Sequence, residues 1–128
     1  MPDLRANIHP TLLERVDKAL AAMALVGHPM RICQGIRTAI QQHELWRQGR
    51  DLPGRRVTSC DGYLRKSNHQ VHADGLGQAV DCCFVEGEPF GEGKPWLLYG
   101  MLGETLGLVW GGRWKEPHDR PHLELKEG

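Results

Sequence analysis

Apolar positions recur at helical spacing near the start of the chain. Leu12, Leu13, Val16, Leu20 and Met23 share one face, which predicts an amphipathic helix over residues 10–26. Pro10 suits its first turn, and Gly27 followed by His28-Pro29 reads as its stop. Residues 30–36 then read as a short strand. Arg37-Thr38 opens a second helix that carries Ile40, Leu45 and the Gln41-Gln42 pair and closes at Gly49. From 49 to 77 the pattern disappears into Gly, polar and charged residues. A stretch that long inside a compact domain is usually functional or disordered. Because it runs into a histidine-bearing segment, the functional reading is favoured. Periodicity returns with an apolar strand at 78–85, a Gly/Pro-rich turn or flap at 86–95 and a third helix at 96–106 ended by Gly107. Two short strands, 108–110 and 122–125, flank a W-G-G-R-W corner. Strands and helices follow one another irregularly. The predicted fold is therefore α+β, with a small, mostly antiparallel sheet and flanking helices, in one domain spanning 1–128.

Composition narrows this picture mainly by exclusion. A chain of 128 residues suffices for one hydrophobic core. Lys+Arg and Asp+Glu both number 16, so no global basic field draws it to nucleic acid or an anionic membrane. No apolar run approaches the ~20 residues of a membrane span, and the start M-P-D-L-R-A-N lacks the charged-then-apolar order of a signal sequence. The expectation is a monomer without stable membrane insertion, kept in the cytoplasm until something else releases it. Cys33, Cys60, Cys82 and Cys83 show no C-x-x-C spacing, and a cytoplasmic origin favours free thiols.

Candidate chemistry sits in Ser67–Asp81, S-N-H-Q-V-H-A-D-G-L-G-Q-A-V-D. A loop with two imidazoles, His69 and His72, feeds a strand that carries a carboxylate, Asp81. An isolated carboxylate among apolar neighbours is too costly to leave unpaired, so Asp81 must be hydrogen-bonded, ion-paired or bound to a metal. Some forty residues later, D-R-P-H-L-E (Asp119 to Glu124) supplies another carboxylate and another imidazole. Two His and one Asp form a three-ligand metal site with a position left for water, the pattern of a catalytic zinc. His43-Glu44 does not make the other common zinc motif, since H-E-x-x-H needs a histidine where Arg47 stands.

These segments resemble, in order, those of the zinc peptidases that cut D-alanyl-D-alanine or L-alanyl-D-glutamate bonds in bacterial peptidoglycan, particularly compact phage endolysins. The matching pieces are I-R-T-A-I-Q-Q-H-E-L-W-R-Q-G-R, P-G-R-R-V-T, S-N-H-Q, D-G-L-G-Q-A-V-D, G-L-V-W-G-G-R-W and D-R-P-H-L-E, covering roughly residues 30–125. The resemblance implies a Hedgehog/DD-peptidase-like fold and a Zn2+ ion held by His69, Asp81 and His122. It also implies Asp119 as the general base acting on a zinc-activated water, and Arg37 as the arginine that stabilises the developing oxyanion. The substrate implied is the peptidoglycan stem peptide, cut as an L-alanyl-D-glutamate endopeptidase. The alternatives are a D-alanyl-D-alanine carboxypeptidase and a non-catalytic wall- or metal-binding module.

One departure keeps alternatives open. The family's short motif has its histidine seven residues before the Asp, and Asp74 stands there. His69 fits only if the loop carries about five extra residues, which leaves His72 as a rival first ligand. Asp74 is either a third possibility or a turn former with Gly75. Further expectations concern single side chains. Trp110 is assigned to the core; Trp114 is divided between core and cleft. His118 is read as exposed, and Gln42 as a hydrogen-bonder near Arg37. Arg50, Arg56 and Arg113 are basic residues able to hold a substrate carboxylate. Cys83 is a thiol, a better zinc ligand than a carboxylate and so a competitor of Asp81, but the family pattern uses the Asp.

Overall fold

The computed structural model describes residues 3–115 and 117–126. Its order is α1 (Pro10–Leu25), β1 (Met30–Gln34), α2 (Ala39–Arg47), β2 (Ala79–Phe84), α3 (Trp96–Thr105), β3 (Leu108–Trp110), a single 3-10 turn (Gly111–Arg113) and β4 (His122–Leu125). The strands form one antiparallel sheet in the order β1-β2-β4-β3. The α+β expectation holds, and every predicted element is present within a few residues of its predicted bounds.

Helix α1 starts where Pro10 presets the backbone and His9 Nδ1 accepts from Thr11 N at 3.2 Å. It buries Leu12, Val16, Ala19 and Met23 completely, while Leu13 and Leu20 pack at the margin. Helix α2 begins with a reciprocal cap: Thr38 Oγ1 accepts from Gln41 N, and Gln41 Oε1 accepts from Thr38 N. Strand β1 stops two residues short of the predicted Ile36. The ladder is irregular between Ile32 and Gln34. The chain then turns at Gly35, which lies against the backbone of Leu4, where a Cβ would stand 2.3 Å from Leu4 O.

All six residues of β2 are buried, because β1 and β4 flank it and helices cover one face. Helix α3 reaches the sheet through two glycines. A Cβ on Gly100 would stand 2.0 Å from the Trp110 ring, and one on Gly103 would stand 2.6 Å from Leu123. This close approach buries Tyr99 and Trp110, as expected for Trp110. No described helix is long and apolar enough to cross a membrane.

The predicted long loop contains no regular helix or strand, yet it is tied down throughout. Gln42, fully buried, donates to Thr58 Oγ1 and Cys60 O. Asp61 Oδ1 accepts from the amides of Tyr63 and Arg65. Gln70 links Ser67 N to Gly62 O. Side chains thus replace the ladder bonds that a strand would have supplied.

Candidate metal centre

The sheet register assembles the centre. Asp81 on β2 lies directly opposite His122 on β4 and pairs with Gln34 on β1. Side chains directly across a ladder share a face and come within a few ångströms of one another. The third group arrives from the long loop. His69 O accepts from Arg37 N at 2.8 Å and Asn68 O accepts from Gln78 N at 2.9 Å. These bonds pin the loop on both sides of His69.

The three side chains converge. His69 Nε2 stands 3.2 Å from Asp81 Oδ1 and 3.1 Å from His122 Nδ1. His122 Nδ1 is 3.4 Å from Asp81 Oδ1. All three residues are buried, and one ligand atom from each falls within 4.8 Å of the others. The opposite ring nitrogens are spoken for. His69 Nδ1 lies 2.8 Å from Gly35 O, and a carbonyl only accepts, so the proton sits on Nδ1 and Nε2 offers its lone pair inward. His122 Nε2 lies 2.6 Å from Glu124 Oε1, which likewise takes the Nε2 proton and turns Nδ1 toward Asp81. Asn68 Nδ2 donates to the other oxygen of Glu124 at 2.6 Å. Asn68 and Glu124 were not singled out from the sequence. The available signal was the H-x-E spacing on a strand, since residues two apart share a face.

The electrostatics favour positive charge at this point. Burial works against the ionised form of Asp81, yet hydrogen bonds from His122 and His69 hold its carboxyl well below the usual carboxylate range. Burial pushes His69 down, against the pull of Asp81. For His122, burial is outweighed by the bonds to Asp81 and Glu124, and its pKa is raised to about 9. The proton that His122 then holds on Nδ1 points at Asp81 and His69, where a cation would lie. Two imidazole lone pairs and one carboxylate, with their outer atoms fixed by further hydrogen bonds, are a donor set suited to zinc.

Asp119 lies beside this group, its Oδ2 3.7 Å from His122 Nδ1. Its backbone is gripped from behind. Asp119 N donates to Gly111 O at 2.8 Å, Trp110 Nε1 to Arg120 O at 2.7 Å, and Tyr99 OH to Pro121 O at 2.7 Å. Gly111 must be a glycine here, because a Cβ would stand 2.4 Å from Asp119 O. Burial, followed by the negative charge of Asp81, raises the Asp119 carboxyl to about 6. Arg37 also reaches the centre. Its guanidinium donates to Asp81 Oδ2 at 3.3 Å, to Gln34, and to Gln42 Oε1 at 2.9 Å, while its Nε is buried without a partner among the described residues. Burial pulls the Arg37 pKa down, opposed by Asp81; a guanidinium stays charged regardless.

The remaining candidates lie elsewhere. His72 and Asp74 are exposed in a small outward turn: Gly75 N donates to His72 O, His72 N to Leu76 O, and Leu76 N to Asp74 Oδ1. That turn absorbs the extra loop residues, and Asp74 shapes it rather than facing the centre. His118 is exposed. Cys83 is buried on β2 two positions beyond Asp81 and opposite Arg31. No disulfide joins the four thiols. Trp114 is 40% exposed and packs its ring on His122, 4.7 Å between centroids. It therefore belongs to the cleft. Arg50 lies over Trp46 and Arg113 pairs with Glu104, both away from the three ligands. Arg56 is exposed beside Gly49.

Comparison with known proteins agrees with this geometry. A family profile described as D-alanyl-D-alanine carboxypeptidase matches residues 62–125. The peptidoglycan L-alanyl-D-glutamate endopeptidase CwlK of Bacillus subtilis is 33% identical over 125 residues, covering 94% of this chain and 74% of that protein. Among solved structures, the L-Ala D-Glu endopeptidase ChiX of Serratia marcescens has the same fold, with TM-score 0.60 and 23% identity, covering 96% of this chain and 84% of that one. A variant of the vancomycin-resistance D,D-pentapeptidase VanY from a VanB-type cassette, in complex with Zn(II), aligns with TM-score 0.65 and 16% identity over 92% of this chain and 72% of its own. The convergent His69, Asp81 and His122, the matching profile and the identity to CwlK place this chain in the D-alanyl-D-alanine carboxypeptidase family of zinc metallopeptidases that act on peptidoglycan.

Proposed function

We propose that the protein is a single catalytic domain over residues 1–128 that hydrolyses the L-alanyl-D-glutamate bond of the peptidoglycan stem peptide. Zinc would be held by His69, Asp81 and His122. The observation that carries this reading is the convergence of those three buried side chains beside a half-buried Asp119. The likeness to CwlK favours the L-alanyl-D-glutamate bond. When bound, zinc supplies a Lewis acid that polarises the scissile carbonyl and brings the pKa of a coordinated water toward ~7.

The chain's own residues do the rest. Asp119 accepts the proton of the attacking water and returns it to the leaving amine, a role its carboxylate can fill from its place beside His122. Its place in the cleft is fixed by the backbone bonds from Tyr99 and Trp110. Arg37 keeps a fixed positive charge beside Asp81, where negative charge grows on the substrate oxygen. Trp114 shields His122 from bulk water on one side.

Replacing Asp119 with Ala should leave about one zinc per chain and lower cleavage by on the order of 10²–10⁴. Equal cleavage by the variant removes Asp119 as the base. Mass spectrometry of digested sacculi decides the bond: new L-alanine carboxyl ends support this reading, whereas release of free D-alanine alone supports a D-alanyl-D-alanine carboxypeptidase. A phage-endolysin role, a monomeric state, and residence in the cytoplasm until release to the wall belong to the same proposal. They rest on the sequence resemblance, and lysis of permeabilised Gram-negative cells tests the first.

A further inference from the structure

Strand β2 sends its side chains to two faces. Val80, Cys82 and Phe84 belong to the hydrophobic core, and Asp81 and Cys83 alternate with them. Cys83 is fully buried but stands outside that cluster, on the face that carries the metal centre. The residue opposite it on β1 is Arg31, which is exposed. The Cys83 thiol meets another thiol instead. Cys33 sits where the β1–β2 ladder is irregular, between the pairs Ile32–Cys82 and Gln34–Asp81, with no ladder partner of its own. Its Sγ donates to Asp81 O at 3.4 Å and lies within hydrogen-bond reach of the Cys83 thiol. Cys33 is half-buried, so one member of the pair is open to a reagent and the other is not.

Neither thiol has a part in the hydrolysis, but Cys33 is joined to the residues that shape the centre. Its hydrogen bond holds the Asp81 carbonyl. Its neighbour Gln34 pairs with Asp81 in the ladder and accepts from Arg37. Cys33 approaches Cys83 diagonally, because Arg31 holds the opposite position. A disulfide needs its two Cβ atoms about 3.5–4.5 Å apart, and an irregular ladder is where a strand bends most readily. Bridging therefore draws the end of β1 along β2, takes the thiol proton away from Asp81 O and carries Gln34 with it.

We propose that Cys33 and Cys83 form a redox-sensitive dithiol whose oxidation to a disulfide disarms the adjacent metal centre. The oxidant is a low-molecular-weight disulfide. Cys33, the accessible thiol, loses its proton, and its sulfur attacks one sulfur of the reagent and releases one reagent thiol. The Cys83 sulfur then displaces the second reagent thiol and leaves a Cys33–Cys83 bond. Two protein S–H bonds are lost and two reagent S–H bonds form, so the reagent takes up both electrons and both protons. Burial, followed by the neighbouring Cys83, holds the Cys33 thiol above its ordinary pKa, so the attack is slow. Outside a thiol-rich compartment the active form would thus have a limited lifetime, whichever stem bond the enzyme cuts.

The test incubates the zinc-loaded protein for hours with graded ratios of oxidised to reduced glutathione. Free thiols are then alkylated, peptides are mapped by mass spectrometry, and cleavage of sacculi is measured. Oxidation should yield a Cys33–Cys83 cross-linked peptide and lower cleavage by about tenfold or more, and dithiothreitol should restore it. Cys60→Ser should respond as the wild type does, which sets aside an adduct on the half-buried Cys60. Cys33→Ser and Cys83→Ala should each keep their cleavage rate under the same oxidant. If either variant fails to fold, the cross-link mapped in the wild type and its reversal together with activity decide the matter. Absence of the Cys33–Cys83 peptide, a different cysteine pairing, a cross-linked protein that cleaves at full rate, or a folded Cys33→Ser variant still inactivated by the oxidant overturns the proposal.

Discussion

Glu124 and His122 stand two residues apart on β4 and meet on one face of the sheet, with Glu124 Oε1 2.6 Å from His122 Nε2. The carboxylate fixes which nitrogen of the ring faces Asp81, and Asn68 fixes the carboxylate in turn. Partners of this kind, one bond removed from the metal, typically govern affinity by 10–100-fold when removed. Glu124→Ala should therefore weaken zinc binding by about tenfold or more in a chelator competition, and Asn68→Ala by less. Unchanged affinity in Glu124→Ala would show that packing alone orients the His122 ring.

The outward turn at 72–76 separates two histidines that are only three positions apart. His69 lies in the centre, and His72 faces solvent. Alanine at 69 should abolish stoichiometric zinc and cleavage together. Alanine at 72 should leave both intact, as read by metal analysis after desalting. The reverse pattern would mean that the loop is threaded one turn out of place.

Gly100 lies against the face of Trp110, with no room for a methyl group. Ala in its place must displace either the helix or the indole, a change that costs ~1–3 kcal/mol in other overpacked cores. The melting temperature of the metal-free protein should fall by several degrees. Because Trp110 donates to Arg120 O, catalysis should suffer as well. A variant as stable as the wild type would place the slack of the molecule in α3.

Tyr99 gives a pH signature. Its phenol is fully buried, and that burial is the main reason its pKa lies well above the ordinary 10.0. The unfolded chain releases this proton at lower pH than the folded one does. The stabilisation is thus fully present below pH ~10 and is lost as pH rises toward the folded value. A plot of melting temperature against pH should bend downward above ~10 in the wild type and less so in Tyr99→Phe. Identical curves would assign the alkaline loss to other groups.

Much of this fold was legible in order along the chain. The spacing of Leu12, Val16 and Met23 marks α1, and the apolar run around Asp81 marks β2, because both patterns arise from burial on one element. Asp81 and His122 could be expected to meet, since a buried carboxylate needs partners. Less could be read where the partner is a backbone atom or depends on register. Gly35 O holds His69 Nδ1, and no side chain announces it. Glu124 becomes meaningful only once β4 is known to pair with β2 so that His122 faces Asp81. Trp114 stayed divided because an indole after two glycines suits both core and cleft; its ring on His122 decides it.

The turn at 72–76 hangs clear of the cleft, and its base is clamped by the bonds from Arg37 N to His69 O and from Gln78 N to Asn68 O. Chain added there would extend outward without loosening the grip on His69. It is therefore a natural grafting point. An affinity module for a chosen bacterial surface, spliced between Ala73 and Gly75, would ride beside the cleft while the hydrolytic machinery kept its shape.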